Sequence, residues 1–205
     1  MKVVHPIAEK IVARLFARKG EAVSVRDLLD LGTRSAVAKA LSRLARRGEI
    51  NRVGRGLYEI PLMGKLLNEP MIQSPDELVR VWARKNGLRV IPSGAYAANL
   101  FGLTTQVPAK ITYYTNGRTR TITIGPYSVK LLNRGPKTMD VKGQTAPLLF
   151  QALCHLGKNG VTPDIIGHLY SKLSWKDKKE LKLNLRYAPA WLKPIIELIA
   201  REEKT

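Results

Sequence analysis

The sequence predicts an α+β fold, an N-terminal winged helix-turn-helix followed by a mixed domain with a small antiparallel sheet and C-terminal helices. Three observations carry that expectation. The first sixty residues alternate helix signals with glycine stops and end in two short β-like runs around Gly54-Arg55-Gly56. Residues 111–132 are rich in β-branched and aromatic side chains punctuated by Asn116-Gly117 and Gly125-Pro126. From Thr145 onward helix-start signals return and no strand signal follows. The boundaries read as a winged helix-turn-helix domain over 1–62, a linker over 63–75 and an α+β domain over 76–205. With 205 residues and 44% hydrophobic content, the chain can bury one large core or two small ones.

Taken in order, His5-Pro6 opens the first helix, because proline at an early helical position forfeits no hydrogen bond. Ile7, Ile11, Val12, Leu15 and Phe16 then recur at spacings of three and four, and Gly20 stops the run. Ser24-Val25-Arg26-Asp27 has the form of a capping box before Leu28, Leu29 and Leu31. Thr33 is placed to cap a helix over 34–47, with Val37, Ala40, Leu41 and Leu44 on its inner face and Gly48 at its left-handed end. Strands over Glu49–Val53 and Leu57–Ile60 flank a Gly-Arg-Gly turn that presents Arg55 at its tip.

Residues 61–75 hold three prolines and a glycine, the composition of a linker, with room for one turn at Leu66 and Leu67. Ser74-Pro75-Asp76-Glu77 begins the next helix and Gly87 ends it. Residues 93–100 read as a short helix of small residues closed by Gly102. The Asn116-Gly117 pair between 111–115 and 118–124 is a strong hairpin signal, and 128–132 makes a further strand. Helices follow from Pro147, Pro163, Ser174 and Pro189.

Charge directs the functional reading. The formal net charge is +19, from 35 Lys and Arg against 16 Asp and Glu, which repels itself and calls for a polyanionic partner. Between residues 34 and 55 seven basic residues face a single acid, Glu49. A recognition helix and a basic tip form the surface that enters a major groove and grips the adjacent backbone. The expected DNA-binding residues are Thr33, Arg34, Ser35, Lys39, Ser42, Arg43, Arg46, Arg52 and Arg55. A second basic surface comprises Lys110, Arg118, Arg120, Lys130, Arg134 and Lys137, with no acid between Lys110 and Met139. There the charges serve either to keep edge strands from aggregating or to meet an acidic partner.

Catalytic chemistry is not legible. His5, His155 and His168 share no metal-ligand spacing, and no phosphate loop, nucleophile elbow or zinc helix is present. No enzyme activity, metal or cofactor is expected. Cys154 is the only cysteine, so no internal disulfide is possible, and together with the lack of a membrane span or signal-peptide pattern this places the protein in the cytoplasm.

Three segments, GRGLYEIP (54–61), PSGAYAANLFGLTTQVP (92–108) and APAWLKPII (188–196), resemble the AbiEi-type antitoxins of bacterial type IV toxin–antitoxin systems. The resemblance covers nearly the whole chain, and the middle segment is its most specific part. It implies a winged helix that binds inverted repeats in the operon's own promoter and represses it. It also implies a C-terminal domain that counters a nucleotidyltransferase-like toxin without a tight direct complex, through residues that no motif here identifies. The expected partner is double-stranded promoter DNA, bound by a monomer or by a dimer on two half-sites. Two other readings stand beside it: an RNA- or ribosome-associated basic protein, and a lone winged-helix regulator. Tyr113 and Tyr114, being adjacent, face opposite sides of a strand and do not make the stacking platform of an RNA-reading sheet.

Overall fold

The computed structural model describes residues 6–18, 21–60, 74–106, 108 and 110–201. The expected stop at Gly20, the turn at Leu66 and Leu67, and almost all of the expected linker lie outside the described residues. The chain is α+β, and it divides into two compact units. Unit 1 comprises residues 1–88 with 122–128, and unit 2 comprises 89–121 with 129–205.

Unit 1 opens with α1 (Pro6–Ala17), whose Ile11 and Leu15 are fully buried. The two-residue strand β1 (Val23–Ser24) leads into a 3-10 helix (Val25–Leu31). Asp27 accepts hydrogen bonds from the Ser24 N–H (2.8 Å) and the Ser24 hydroxyl (3.0 Å), as the capping-box spacing predicts. Helix α2 (Arg34–Arg46) starts at Thr33, whose hydroxyl accepts from the Ala36 N–H at 3.3 Å. Val37, Ala40, Leu41 and Leu44 bury its inner face. Strands β2 (Asn51–Gly54) and β3 (Leu57–Glu59) pair antiparallel, and β1 adds on the other side of β3 to give the order β1-β3-β2. An irregularity between Arg52 and Gly54 turns the end of β2 into the tip, where Gly56 takes φ 67. One apolar cluster, from Ile11 to Ile60, joins α1, the 3-10 helix, α2 and the sheet.

Helix α3 (Pro75–Asn86) has the predicted cap, with the Ser74 hydroxyl accepting from Glu77 N–H and the Glu77 carboxylate accepting from Ser74 N–H. The sequence boundary assigned this helix to the following domain, whereas compactness groups it with unit 1. The Arg84 guanidinium reaches Asp27 at 3.2 Å and Arg26 donates to the Lys85 carbonyl at 3.4 Å, so its last turn is fastened to the 3-10 helix. The tip of a later hairpin, Ile122–Ser128, also belongs to unit 1, where the Gly125 N–H donates to the Val53 carbonyl at 2.6 Å.

The second sheet has the order β4-β5-β7-β6, from β4 (Val90–Pro92), β5 (Ile111–Thr115), β6 (Arg120–Ile124) and β7 (Tyr127–Asn133). This corrects two expectations. The sheet is mixed, because β5 and β7 run parallel from Ile111↔Val129 to Thr115↔Asn133. Asn116-Gly117 is therefore no hairpin turn, since β7 lies between β5 and β6. The polar groups of that segment are used elsewhere. Asn116 Oδ1 accepts from the Arg89 N–H at 2.9 Å, and the Gly117 carbonyl accepts from Asn133 Nδ2 at 2.8 Å. The four residues 116–119 can span the roughly 10 Å of two strand spacings, so the chain reverses across one strand position and leaves that position for β7.

The helical part of unit 2 comprises α4 (Gly94–Phe101), the short α5 (Pro136–Met139), α6 (Thr145–Gly160), α7 (Pro163–Lys172), α8 (Trp175–Asn184) and α9 (Lys193–Ile199). Ala97 and Ala98 let α4 approach α6 closely, and Leu149, Leu153, Leu169, Leu192 and Ile196 fill the core around them. Two carboxylates of α8 cap the start of α6: Asp177 accepts from the Thr145 hydroxyl at 2.5 Å and Glu180 from the Ala146 N–H at 2.6 Å. Among the described residues no helix is long and apolar enough to cross a membrane.

Candidate nucleic-acid interface

The site grows from α2 and the turn that follows it. Helical geometry sends Arg34, Ser35, Lys39, Ser42, Arg43 and Arg46 away from the buried stripe of Val37, Ala40, Leu41 and Leu44. The accessibility agrees: Thr33, Arg34, Ser35, Lys39, Arg43 and Arg46 are exposed and Ser42 is half-buried. Thr33 uses its hydroxyl oxygen as the acceptor of the helix cap, which leaves its O–H free to donate. On the hairpin, Arg52 and Arg55 are exposed, and Arg52 Nε donates to the Gly54 carbonyl at 3.3 Å, bracing the turn. Among the described residues no carboxylate forms an ion pair with Arg34, Lys39, Arg43, Arg46, Arg52 or Arg55. Their charge is left to solvent or to a partner.

Arg34 and Arg55 are brought together, 21 positions apart in sequence, on the wall of one pocket of about 600 Å³. Two further cations line it, Arg26 from the 3-10 helix and Lys85 from the last turn of α3. The Lys85 ammonium donates to the Arg55 carbonyl and thereby holds the hairpin tip. Its pKa is lowered, first by loss of water around the amine and then by repulsion from Arg55, Arg52 and Arg34. Asp27 stands behind this group with its carboxyl held below the usual carboxylate range. Burial opposes its ionisation, but the two Ser24 hydrogen bonds and Arg84 outweigh that cost.

Arg26 and Lys85 were not legible as site residues. Arg26 sits inside a capping box, and Lys85 is a cation in the last turn of a helix, where the helix dipole alone accounts for it. Only the tertiary packing of α3 brings them beside α2.

The second basic surface is differently built. Lys110, Arg118, Arg120, Lys130, Arg134 and Lys137 are all exposed, but they are spread over β6, β7, α5 and the connecting loops. The Arg134 guanidinium lies 4.5 Å from the centre of the Tyr114 ring, which gives it a partner within the fold. Among the described residues no cluster of three or more His, Cys, Asp or Glu is arranged to hold a metal.

Comparison with known proteins adds a family. Residues 7–181 match the model described as "Family of unknown function (DUF6088)". No curated protein matches the chain. Among solved structures, the crystal structure of the Rv2827c protein from Mycobacterium tuberculosis is similar at a TM-score of 0.46 and 16% identity, over 98% of this chain and 84% of that one.

Proposed function

We propose, for a chain that belongs to the DUF6088 family of unknown function, that unit 1 is a winged helix-turn-helix that binds double-stranded DNA. In this reading α2 lies in the major groove and the β2–β3 turn is the wing. Thr33, Arg34 and Ser35 stand at the N-terminal end that meets base edges, and Lys39, Arg43, Arg46, Arg52 and Arg55 bind backbone phosphates. The observation that carries it is the convergence of Arg34 and Arg55 on one pocket, with no acidic partner among the described residues. A face bearing only protein contacts gains nothing from such a concentration of unpaired charge.

The resemblance of 54–61, 92–108 and 188–196 to AbiEi-type antitoxins supports a narrower role. The protein represses its own promoter from the cytoplasm, without catalysis or a cofactor, and counters a nucleotidyltransferase-like toxin. Fluorescence anisotropy with the duplex upstream of its own gene tests the DNA reading. Arg34→Ala and Arg55→Ala should each weaken binding by about tenfold or more, in line with the roughly 1–3 kcal/mol of a base or phosphate contact. Unchanged affinity in both would refute the interface. Preferential competition by structured RNA would move the protein to the RNA-binding class. Co-expression with the product of a neighbouring nucleotidyltransferase-like gene tests the antitoxin role, which fails if toxicity persists.

A further inference from the structure

The pocket between α2, the hairpin tip and α3 is more than one edge of a DNA-facing helix. Four side chains that carry positive charge line it, and no acid does. Like charges collect in one concavity only when something offsets their repulsion. The Asp27 carboxylate does not line the pocket and is already occupied by Ser24 and Arg84. Lys85 uses one of its three N–H groups on the Arg55 carbonyl, which leaves two for a ligand. Arg26 uses one N–H on the Lys85 carbonyl at 3.4 Å, and its other guanidinium donors remain. Arg34 and Arg55 bring two further forks, whose planar geometry suits a tetrahedral oxyanion. Val25, Leu29 and Ala38 add apolar surface, fit to lie against a sugar, and Ser24, Gly56 and Asn86 complete the lining.

We propose that this pocket is a phosphate-binding site, in which Arg26, Arg55 and Lys85 hold one phosphate group of a duplex backbone or of a free phosphorylated small molecule, and Arg34 lends it part of its five N–H donors while the rest stay available to a base edge. The shared chemistry is a phosphate ester or anhydride oxyanion surrounded by guanidinium and ammonium donors. Lys85 has a second task, since its bond to the tip carbonyl sets the wing where Arg55 can reach the same anion. The lowered pKa of its ammonium, due first to burial and then to the neighbouring arginines, accords with the site, because the charge of a bound anion would offset that repulsion.

The test is a titration of inorganic pyrophosphate into the full-length protein, followed by amide NMR shifts of Arg34, Gly56 and Lys85. Saturable shifts at these positions are expected. Affinity should fall about tenfold in Lys85→Met and in Arg26→Gln, the loss of one charged hydrogen bond each. Arg26→Gln leaves the Lys85–Arg55 bond in place, so it reads the pocket even if Lys85→Met disturbs the tip. Arg118→Gln, remote in sequence and outside unit 1, should bind as the parent does. If the phosphate belongs to a duplex, pyrophosphate should compete with DNA and both pocket variants should reduce the salt slope by about one. If it belongs to a free compound, pyrophosphate should bind without displacing DNA and the slope should stay. Absence of saturation, or an equal loss in Arg118→Gln, overturns the proposal. A chain that binds pyrophosphate here but no duplex would sink the DNA reading and keep the pocket.

Discussion

Asp27 joins two parts of unit 1 through a single side chain. One oxygen receives the Ser24 N–H, the Ser24 hydroxyl and the Arg84 guanidinium. It therefore starts the 3-10 helix and anchors the end of α3, and its folded pKa lies below the unfolded value near 3.9. A depressed carboxyl pKa contributes stability above the unfolded pKa and loses it as pH falls through the folded one. Asp27→Asn should cost about 1–2 kcal/mol at pH 7, the range of a lost cap. In urea unfolding the gap between parent and variant should shrink below about pH 4, as the parent's own carboxyl takes up a proton. A gap that is constant from pH 7 to pH 3 would show that the charge of Asp27 contributes nothing.

At the level of elements, the hairpin tip is set by a glycine. Gly56 takes φ 67, and a Cβ there would meet the Lys85 ammonium at 3.1 Å. Gly48 has φ 71 with nothing within 4 Å, so it offers the same backbone strain without the neighbour. Alanine at either position should cost about 1–2 kcal/mol and lower the melting temperature by a few degrees. Gly56→Ala should also weaken DNA binding several-fold, because it displaces the group that holds Arg55, while Gly48→Ala should bind normally. Equal affinities in the two variants would separate the tip from the interface. The same elements explain what could be read from sequence. Caps at Ser24, Thr33, Ser74, Thr162 and Ser174 depend on residues within three positions, and the stripe on α2 depends on its own periodicity. The error at Asn116-Gly117 arose because a two-residue turn signal does not report which strand will pair. The Asn116 side chain accepts from the Arg89 N–H, and β7 is the strand that pairs with β5. Lys85 escaped for the same reason, since the partner that gives it meaning is 30 positions away.

For the whole molecule, a net charge of +19 guarantees some attraction to any nucleic acid, so affinity at low salt proves little. What separates a shaped interface from a charged surface is how binding changes with salt and with sequence. If α2 and the tip contact about six phosphates, as proposed, the slope should be near −5 and affinity should drop on the order of a thousandfold between 50 and 200 mM salt. Base contacts carry no such dependence, so the preference for the protein's own upstream duplex over a scrambled one should survive the increase. The dispersed cations of unit 2 can add to the first quantity and not to the second. Replacing Arg118 and Lys130 with glutamine should therefore flatten the salt slope at most, leaving the preference intact, whereas Arg34→Ala should reduce the preference itself. Anisotropy titrations of both duplexes across that salt range decide it. A preference that vanishes with salt in the parent, or that follows Arg118 and Lys130 instead of Arg34, would mean that the protein grips polyanions without reading them.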